Sequence, residues 1–339
     1  MQRRLLSPAK LAGGAVFLLV LTALILYAVP SHNYLLLPDK AHPVAPLVIV
    51  QGAHKQQDGG GIYFVDVFER RASVFESLFP WIHSGSTLVP ASLIVPPGVS
   101  DQAAQQADLR AMAISQKVAA AVALRRLGYK VVVRSSGVIV AELESTSRAA
   151  GKVQSGDVIV SVNGSPTQTI AQLRTAMAKV KPGAVVSLAI VRGSQHVIEN
   201  VKTMPDPTDK NRAIVGFAPE QAAQIKLPIK VRIDTGNVGG PSAGLAFALE
   251  VMEKLGHDVD HGYRVAATGE IELNGAVTAI GGVKQKTVGA HATGVDVFLV
   301  PAAGDNAKEA EHYAHGLRII PVKSFAQALH ALATLPPKR

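Results

Sequence analysis

No cysteine occurs at any of the 339 positions. A disulfide framework, a thiol nucleophile and a thiolate-bound metal are thereby excluded, although the compartment is not fixed. Aromatic residues make up only 5%, with a single tryptophan, and no basic stretch is interleaved with them. The formal charge of +9 is scattered along the chain. A nucleic-acid partner, which needs a clustered basic footprint, is therefore not expected; an anionic surface is an equally simple electrostatic partner. No G-x-x-x-x-G-K-[ST] occurs, so no loop of that kind cradles a nucleotide. The histidines show no H-E-x-x-H spacing, and His312 and His315 alone make a weak pair. Neither a metal nor another cofactor is expected. Charge of either sign is sparse, 17% against 48% hydrophobic, a balance that fits a globular protein with an added membrane segment.

One long uncharged run is present. Leu11 to Val29 holds 19 residues rich in Leu, Val and Ala, against roughly 20 for a helix that spans the hydrocarbon core. Arg3, Arg4 and Lys10 precede it. The positive-inside rule makes residues 1–10 a cytoplasmic tail, 11–29 a single transmembrane helix in the cell membrane, and the bulk extracytoplasmic. A cleaved signal peptide is the alternative, but Ala28-Val29-Pro30 is a poor small-x-small site.

Residues 31–128 read as a mixed N-terminal region. Leu47–Val50 and Ile62–Phe68 are strand candidates, the second entered through Gly59-Gly60-Gly61. Ser100-Asp101 caps a long helix running to Gly128, with Leu109, Met112, Val118, Val122 and Leu127 on a drifting apolar face. No chemistry is assigned to this region.

Residues 130–203 form a second unit. Val131–Val133, Val138–Val140 and Val185–Val191 are strands, Ile170–Val180 is a helix, and Asn163-Gly164 closes a strand pair. Ala149-Ala150-Gly151 and the Gly156-Asp157 turn before a strand resemble the signature of bacterial PDZ domains. The resemblance implies a β-sandwich or barrel that takes an extended peptide at a sheet edge. It makes Ser136, Gly137, Val138 and Ile139 the peptide-binding residues. The loop departs from the family's Gly-Leu-Gly-Phe pattern, which speaks against capture of a C-terminal carboxylate. A domain that only positions or gates its neighbour is the other reading.

After a linker at 204–211, the last unit runs to 339 with strands and helices in alternation. Its centre is Asp234–Leu255, a strand end, a Gly-rich turn and a helix opening at Pro241-Ser242. Ser242 then sits among unpaired N–H groups that can hold an oxyanion. By itself such a Ser reads as a helix cap. GPSAG also matches G-x-S-x-G formally, but a broad loop precedes the Ser and no downstream His has a recognisable setting.

A lysine is the other base. Val283, Lys286, Thr287 and Ala290 share one helical face, while Lys284 lies about 100° around and is expected in solvent. A buried Lys loses its proton more easily and can act as a base. The ordered set GGPSAG, TGEIELNG and IGGVKQK resembles the proteolytic domain of Lon-type serine proteases. That resemblance implies a Ser242–Lys286 catalytic dyad, with Thr268 orienting the lysine. Gly239 and Gly240, with Ser242, are the oxyanion candidates. It also implies a polypeptide substrate and a homo-oligomer. Many Lon proteases carry a charged pair where this chain has Val238-Gly239, so an acidic regulator of the dyad is absent.

The fold expected is α+β: an N-terminal transmembrane helix, a mixed region, a PDZ-like β-sandwich or barrel, and a Lon-type α/β proteolytic domain. The function expected is an ATP-independent, membrane-anchored serine endopeptidase cutting unfolded segments or tails of extracytoplasmic proteins. The PDZ-like domain would recruit substrate or gate the site. A non-catalytic PDZ-type scaffold with a degenerate peptidase fold is the alternative; intact Ser242 and Lys286 speak against it.

Overall fold

The computed structural model describes residues 8–54, 59–95, 100–144, 146–336 and 338. Helix α1 spans Pro8–Ala28. Strands β1 (Pro30–Pro38), β2 (Val48–Val50), β3 (Gly61–Phe64), β4 (Val67–Ser73) and β5 (Thr87–Pro90) follow. β4 and β5 flank β1 as an antiparallel sheet. The Ile62–Phe68 run, expected as one strand, is therefore two, because β3 and β4 enter different sheets. Helix α2 (Asp101–Arg126) starts at Ser100, whose hydroxyl accepts the Ala103 N–H at 3.2 Å, as the Ser-Asp signal requires.

The middle unit comprises β6 (Val132–Leu143), β7 (Val158–Val162), helix α3 (Ile170–Met177), β8 (Val185–Arg192) and β9 (Gln195–Lys202). The two valine-rich runs around Gly137 are one strand. The sheet order is β9-β8-β7-β6, and β10 (Phe217–Lys226) adds itself beyond β6. Val186, Leu188 and Ile190 alternate inward on β8 and meet Val138, Val140 and Ile159 in a separate core.

The main elements that follow are β11 (Val231–Ile233), α4 (Gly244–Lys254), β12 (Arg264–Ala267), α5 (Val283–Thr293), β13 (Val297–Pro301), α6 (Asn306–His312), β14 (Arg318–Val322) and α7 (Phe325–Ala333). β3, β12, β13 and β14 are parallel, with His42–Pro43 antiparallel at the β3 edge. Every residue of β13 is buried, as a parallel strand covered on both faces must be. Its alternation sorts the cores. Val297 and Leu299 join the cluster around α4 and α7, whereas Phe298 and Val300 join Val283 and Ala290 of α5.

Residues 31–128, expected as a region of their own, share this core. β3 is a strand of the parallel sheet, and β2 pairs antiparallel with β11. Ile62, Phe64, Met112, Ala119 and Val122 pack in one cluster with Leu245, Phe247 and Leu249. The chain is mixed α/β, with the β6–β9 unit inserted between two segments of one core.

The expected transmembrane helix over 11–29 and the single-pass membrane placement are corrected. Among the described residues no helix is long and apolar enough to cross a membrane. α1 carries Lys10 in its first turn and ends at Ala28, one residue short of the expected run, leaving residues 11–28 as its charge-free stretch. That stretch is about 27 Å long at 1.5 Å per residue, under the roughly 30 Å hydrocarbon core. Anchoring by this helix, and the extracytoplasmic placement of the bulk that was derived from it, are accordingly unsupported. Residues 1–7 of the expected tail, Arg3 and Arg4 included, lie outside the described residues.

The N-terminal segment is seated directly on α5. The Ala41 N–H donates to Thr293 Oγ1 at 2.8 Å. Gly289 lies so close beneath the Asp39 carbonyl that a Cβ there would overlap its oxygen. In an exposed helix, Gly to Ala gains about 1 kcal/mol. Here Gly289→Ala should instead lower stability by about 1–3 kcal/mol through overpacking, read as a fall in the urea midpoint.

Candidate active site

The segment from β11 to α4 is fixed before any catalytic question arises. The Asp234 N–H donates to the Leu47 carbonyl at 3.0 Å, and Val238 N–H to the Thr235 carbonyl at 3.2 Å. Gly236 and Gly240 turn the chain at φ +59° and +81°, where a side chain would be strained. α4 begins at Gly244, two residues later than the sequence suggests, after a tight turn closed by Gly244 N–H on the Pro241 carbonyl at 3.2 Å. Ser242 therefore precedes the helix. Its carbonyl accepts the Gly269 N–H at 2.7 Å and the Thr268 hydroxyl at 3.2 Å.

α2 holds the loop from the other side. The Gly240 N–H donates to the Asp108 carbonyl at 2.9 Å. Ser115 Oγ donates to the Pro241 carbonyl at 2.8 Å, and Gln116 Nε2 to Thr235 Oγ1 at 3.0 Å. Of the three N–H groups expected to hold an oxyanion, that of Gly240 is thus taken. Those of Gly239 and Ser242 have no acceptor among the described residues.

Lys286 arrives from the opposite face of the sheet. α5 starts at Gly282, in the left-handed region at φ +69°, and a Cβ there would lie 2.7 Å from Val67 Cγ2. Val283, Lys286, Thr287 and Ala290 are all buried, as their spacing requires. Lys286 is 4% exposed and its Nζ donates to Ser242 Oγ at 2.7 Å. Burial pushes its ammonium down to about 8, against the opposing pull of the Asp66 and Glu69 carboxylates. Thr268, expected beside the lysine, is fully buried and reaches the serine carbonyl instead. Lys284, expected in solvent, is half-buried and donates to the Ser86 carbonyl at 2.7 Å.

Ser242 and Lys286 line a cleft of about 1020 Å³ between α2, β4, the Gly-rich loop and the start of α5. Asp66, Glu69, Asp108 and Glu270 also line it, each with its carboxyl pushed up, chiefly by burial. The cleft arginines are paired with other carboxylates, Arg70 with Glu76 and Arg71 with Asp101. The arrangement offers a hydroxyl nucleophile, an amine of low proton affinity and two unpaired N–H donors in one partly dry trough. That set suits acyl transfer.

Away from this cleft, the four residues expected to bind peptide sit on β6. Gly137, Val138 and Ile139 are paired opposite Ala222, Gln221 and Glu220 of β10, while Ser136 falls at an irregularity in the register.

Asp66, Glu69, Asp108, Ser115 and Gln116 escaped the reading of the sequence. They lie in the segment to which no chemistry was assigned, and neither spacing nor composition marks them. Only the pairing of β3 with β12 and the packing of α2 on α4 bring them to Ser242.

Residues 211–334 match the family described as the Lon protease (S16) C-terminal proteolytic domain, and residues 126–203 match the PDZ domain family. A Lon protease of Mesomycoplasma hyopneumoniae is 45% identical over 67 residues, 20% of this chain and 8% of that protein. Lon protease of Rhizobium meliloti is 36% identical over 132 residues, 38% of this chain and 16% of that protein. Lon protease 2 of Bacillus subtilis is 36% identical over 100 residues, covering 30% and 18%. The chain thus spans less than a fifth of the length of these curated relatives. Among solved structures, the PDZ domain of an SdrC-like protein from Listeria monocytogenes aligns at 19% identity and a TM-score of 0.23, covering 25% of this chain and 87% of that one.

The buried amine has a signature independent of activity. Between about pH 8 and the ordinary lysine value near 10.5, the unfolded chain holds a proton that the folded chain has released. Stability relative to a Lys286→Met variant should therefore rise with pH across that window, by a total on the order of 3 kcal/mol. Paired urea titrations at pH 7 and pH 10 measure the difference; a constant difference would mean that the amine is not desolvated.

Proposed function

Given a Lon-type (S16) serine peptidase domain over residues 211–334 and a PDZ domain over 126–203, we propose that this chain is an endopeptidase. Ser242 attacks the peptide carbonyl and Lys286 is its base. The observation that carries the reading is the 2.7 Å contact from Lys286 Nζ to Ser242 Oγ at the buried end of an open cleft.

An extended polypeptide in the cleft presents a carbonyl carbon to Ser242 Oγ. As the new C–O bond forms, neutral Lys286 takes the hydroxyl proton, and the resulting ammonium faces Asp66 and Glu69, which favour its charge. The oxyanion turns toward the Ser242 and Gly239 N–H groups. Collapse breaks the C–N bond, and Lys286 returns the proton to the leaving amine. Water then repeats the sequence on the acyl-enzyme. Thr268 and Gly269 hold the Ser242 carbonyl and so keep Oγ aimed at Nζ.

The chain has no G-x-x-x-x-G-K-[ST] loop, so it supplies no nucleotide-driven unfolding of its own. The substrates proposed are polypeptides that are already extended: unfolded segments or tails. The cleft of about 1020 Å³ that holds Ser242 and Lys286 is also lined by residues of β4 and α2, which gives room for an extended chain.

The test is cleavage of a permanently unfolded protein without ATP. The parent should cleave it, with a rate that climbs about tenfold per pH unit below the lysine value of about 8 and levels above it. Ser242→Ala and Lys286→Ala should each lower kcat by at least about 10³-fold, and added ATP should change nothing. Parent-like activity in both variants would overturn the dyad.

A further inference from the structure

The sheet edge that a PDZ domain offers to a ligand is not open in this chain. β10 lies along β6 antiparallel, from Phe217 opposite Leu143 to Lys226 opposite Val132. α3 packs along the other side of β10. Gln221 ties the two walls together. Its Nε2 donates to the Gly137 and Gln168 carbonyls, both at 2.9 Å, and its Oε1 accepts the Ile170 N–H at 3.3 Å. An extended segment laid between a sheet edge and a helix, held by main-chain hydrogen bonds, is β-augmentation.

The details fit an internal ligand and not a chain end. Ala222 is opposite Gly137 and is the one buried residue of β10. The strand does not stop there: it passes a register shift and continues through Ala223, opposite Ser135, to Lys226. Among the described residues no terminal carboxylate is seated. The Gly137 N–H, which would meet one, instead donates to the Gln168 carbonyl at 3.2 Å. Beyond the edge, β10 packs against α2. Four residues past its end, it leads into β11 and the loop that carries Ser242.

We infer that the ligand site of the PDZ domain is already filled by residues 217–226 of the same chain. The domain then holds the strand that feeds the Ser242 loop and does not capture substrate tails. A tethered strand of this kind acts at an effective concentration on the order of millimolar, so a free peptide of equal intrinsic affinity is outcompeted. A free peptide takes the edge only where β10 leaves it. The inference concerns binding, and it stands or falls separately from the role of Ser242.

The full chain is used in a Ser242→Ala background, so that no probe is cut. The probe is a fluorescein-labelled peptide with the sequence of residues 217–226, FAPEQAAQIK. Three forms are compared by anisotropy: the unmodified edge, Gln221→Leu, and an oxidised Ser135→Cys/Ala223→Cys pair. The last is clean because the chain has no other cysteine. Gln221→Leu should bind the probe at least tenfold more tightly than the unmodified edge, and the oxidised pair should not bind it. Amides of 217–226 should be protected from exchange in the unmodified chain and exchange at least tenfold faster in Gln221→Leu. Equal affinity in all three forms overturns the inference. So does an unprotected 217–226 in the unmodified chain, or a loosened strand that brings no gain in binding. If Gln221→Leu leaves exchange unchanged, Ala222→Arg, whose side chain has no room at that buried position, is judged by the same criteria.

Discussion

A lysine amine held 4% exposed against a serine hydroxyl constrains everything around it. Burying an ammonium is costly, and the amine escapes part of that cost by giving up its proton near neutral pH. Asp66 and Glu69 pull the other way. Without them the amine would be neutral but would resist taking a proton; without burial it would be permanently charged. The site needs both influences, and they come from different parts of the chain. The packing around α5 supplies the burial, and Asp66 and Glu69 of the β3–β4 segment supply the charge.

That division explains why the N-terminal residues cannot be a detachable appendage. β3 extends the parallel sheet, β2 caps β11, and α2 lies on α4. Three contacts from α2 fix the loop from Thr235 to Pro241, one of them by occupying the Gly240 N–H. A loop rich in glycine has many conformations available. α2 removes most of them, so Ser242 faces Lys286 before any substrate arrives. The β6–β9 unit is inserted between these two halves of one core, and β10 joins it to the loop.

Much was legible in the residues alone. The Val283, Lys286, Thr287, Ala290 spacing placed Lys286 inward, and it is inward. Ser100 marked the start of α2, and the Gly-rich stretch before Ser242 marked the turn. Other readings failed for physical reasons. The uncharged run over 11–29 was counted as a spanning length, whereas the helix that forms there ends at Ala28 and no described helix is long and apolar enough to span. Lys284 faces a neighbouring segment that a single-helix projection cannot include. Thr268 donates to the Ser242 carbonyl, a bond that no pattern in the sequence shows.

The division follows from the range of the forces involved. Periodicity, capping and turn chemistry act over a few residues, so the sequence by itself determined most helices and strands and marked Ser242 and Lys286 as the candidate pair. What charge surrounds the amine, which N–H groups are left unpaired, and what fills the PDZ edge depend on residues far apart in the chain. Asp108 meets Gly240, Asp66 faces Lys286, and Gln221 bonds Gly137. Those encounters are set by sheet order and helix packing, and only the tertiary structure decided them.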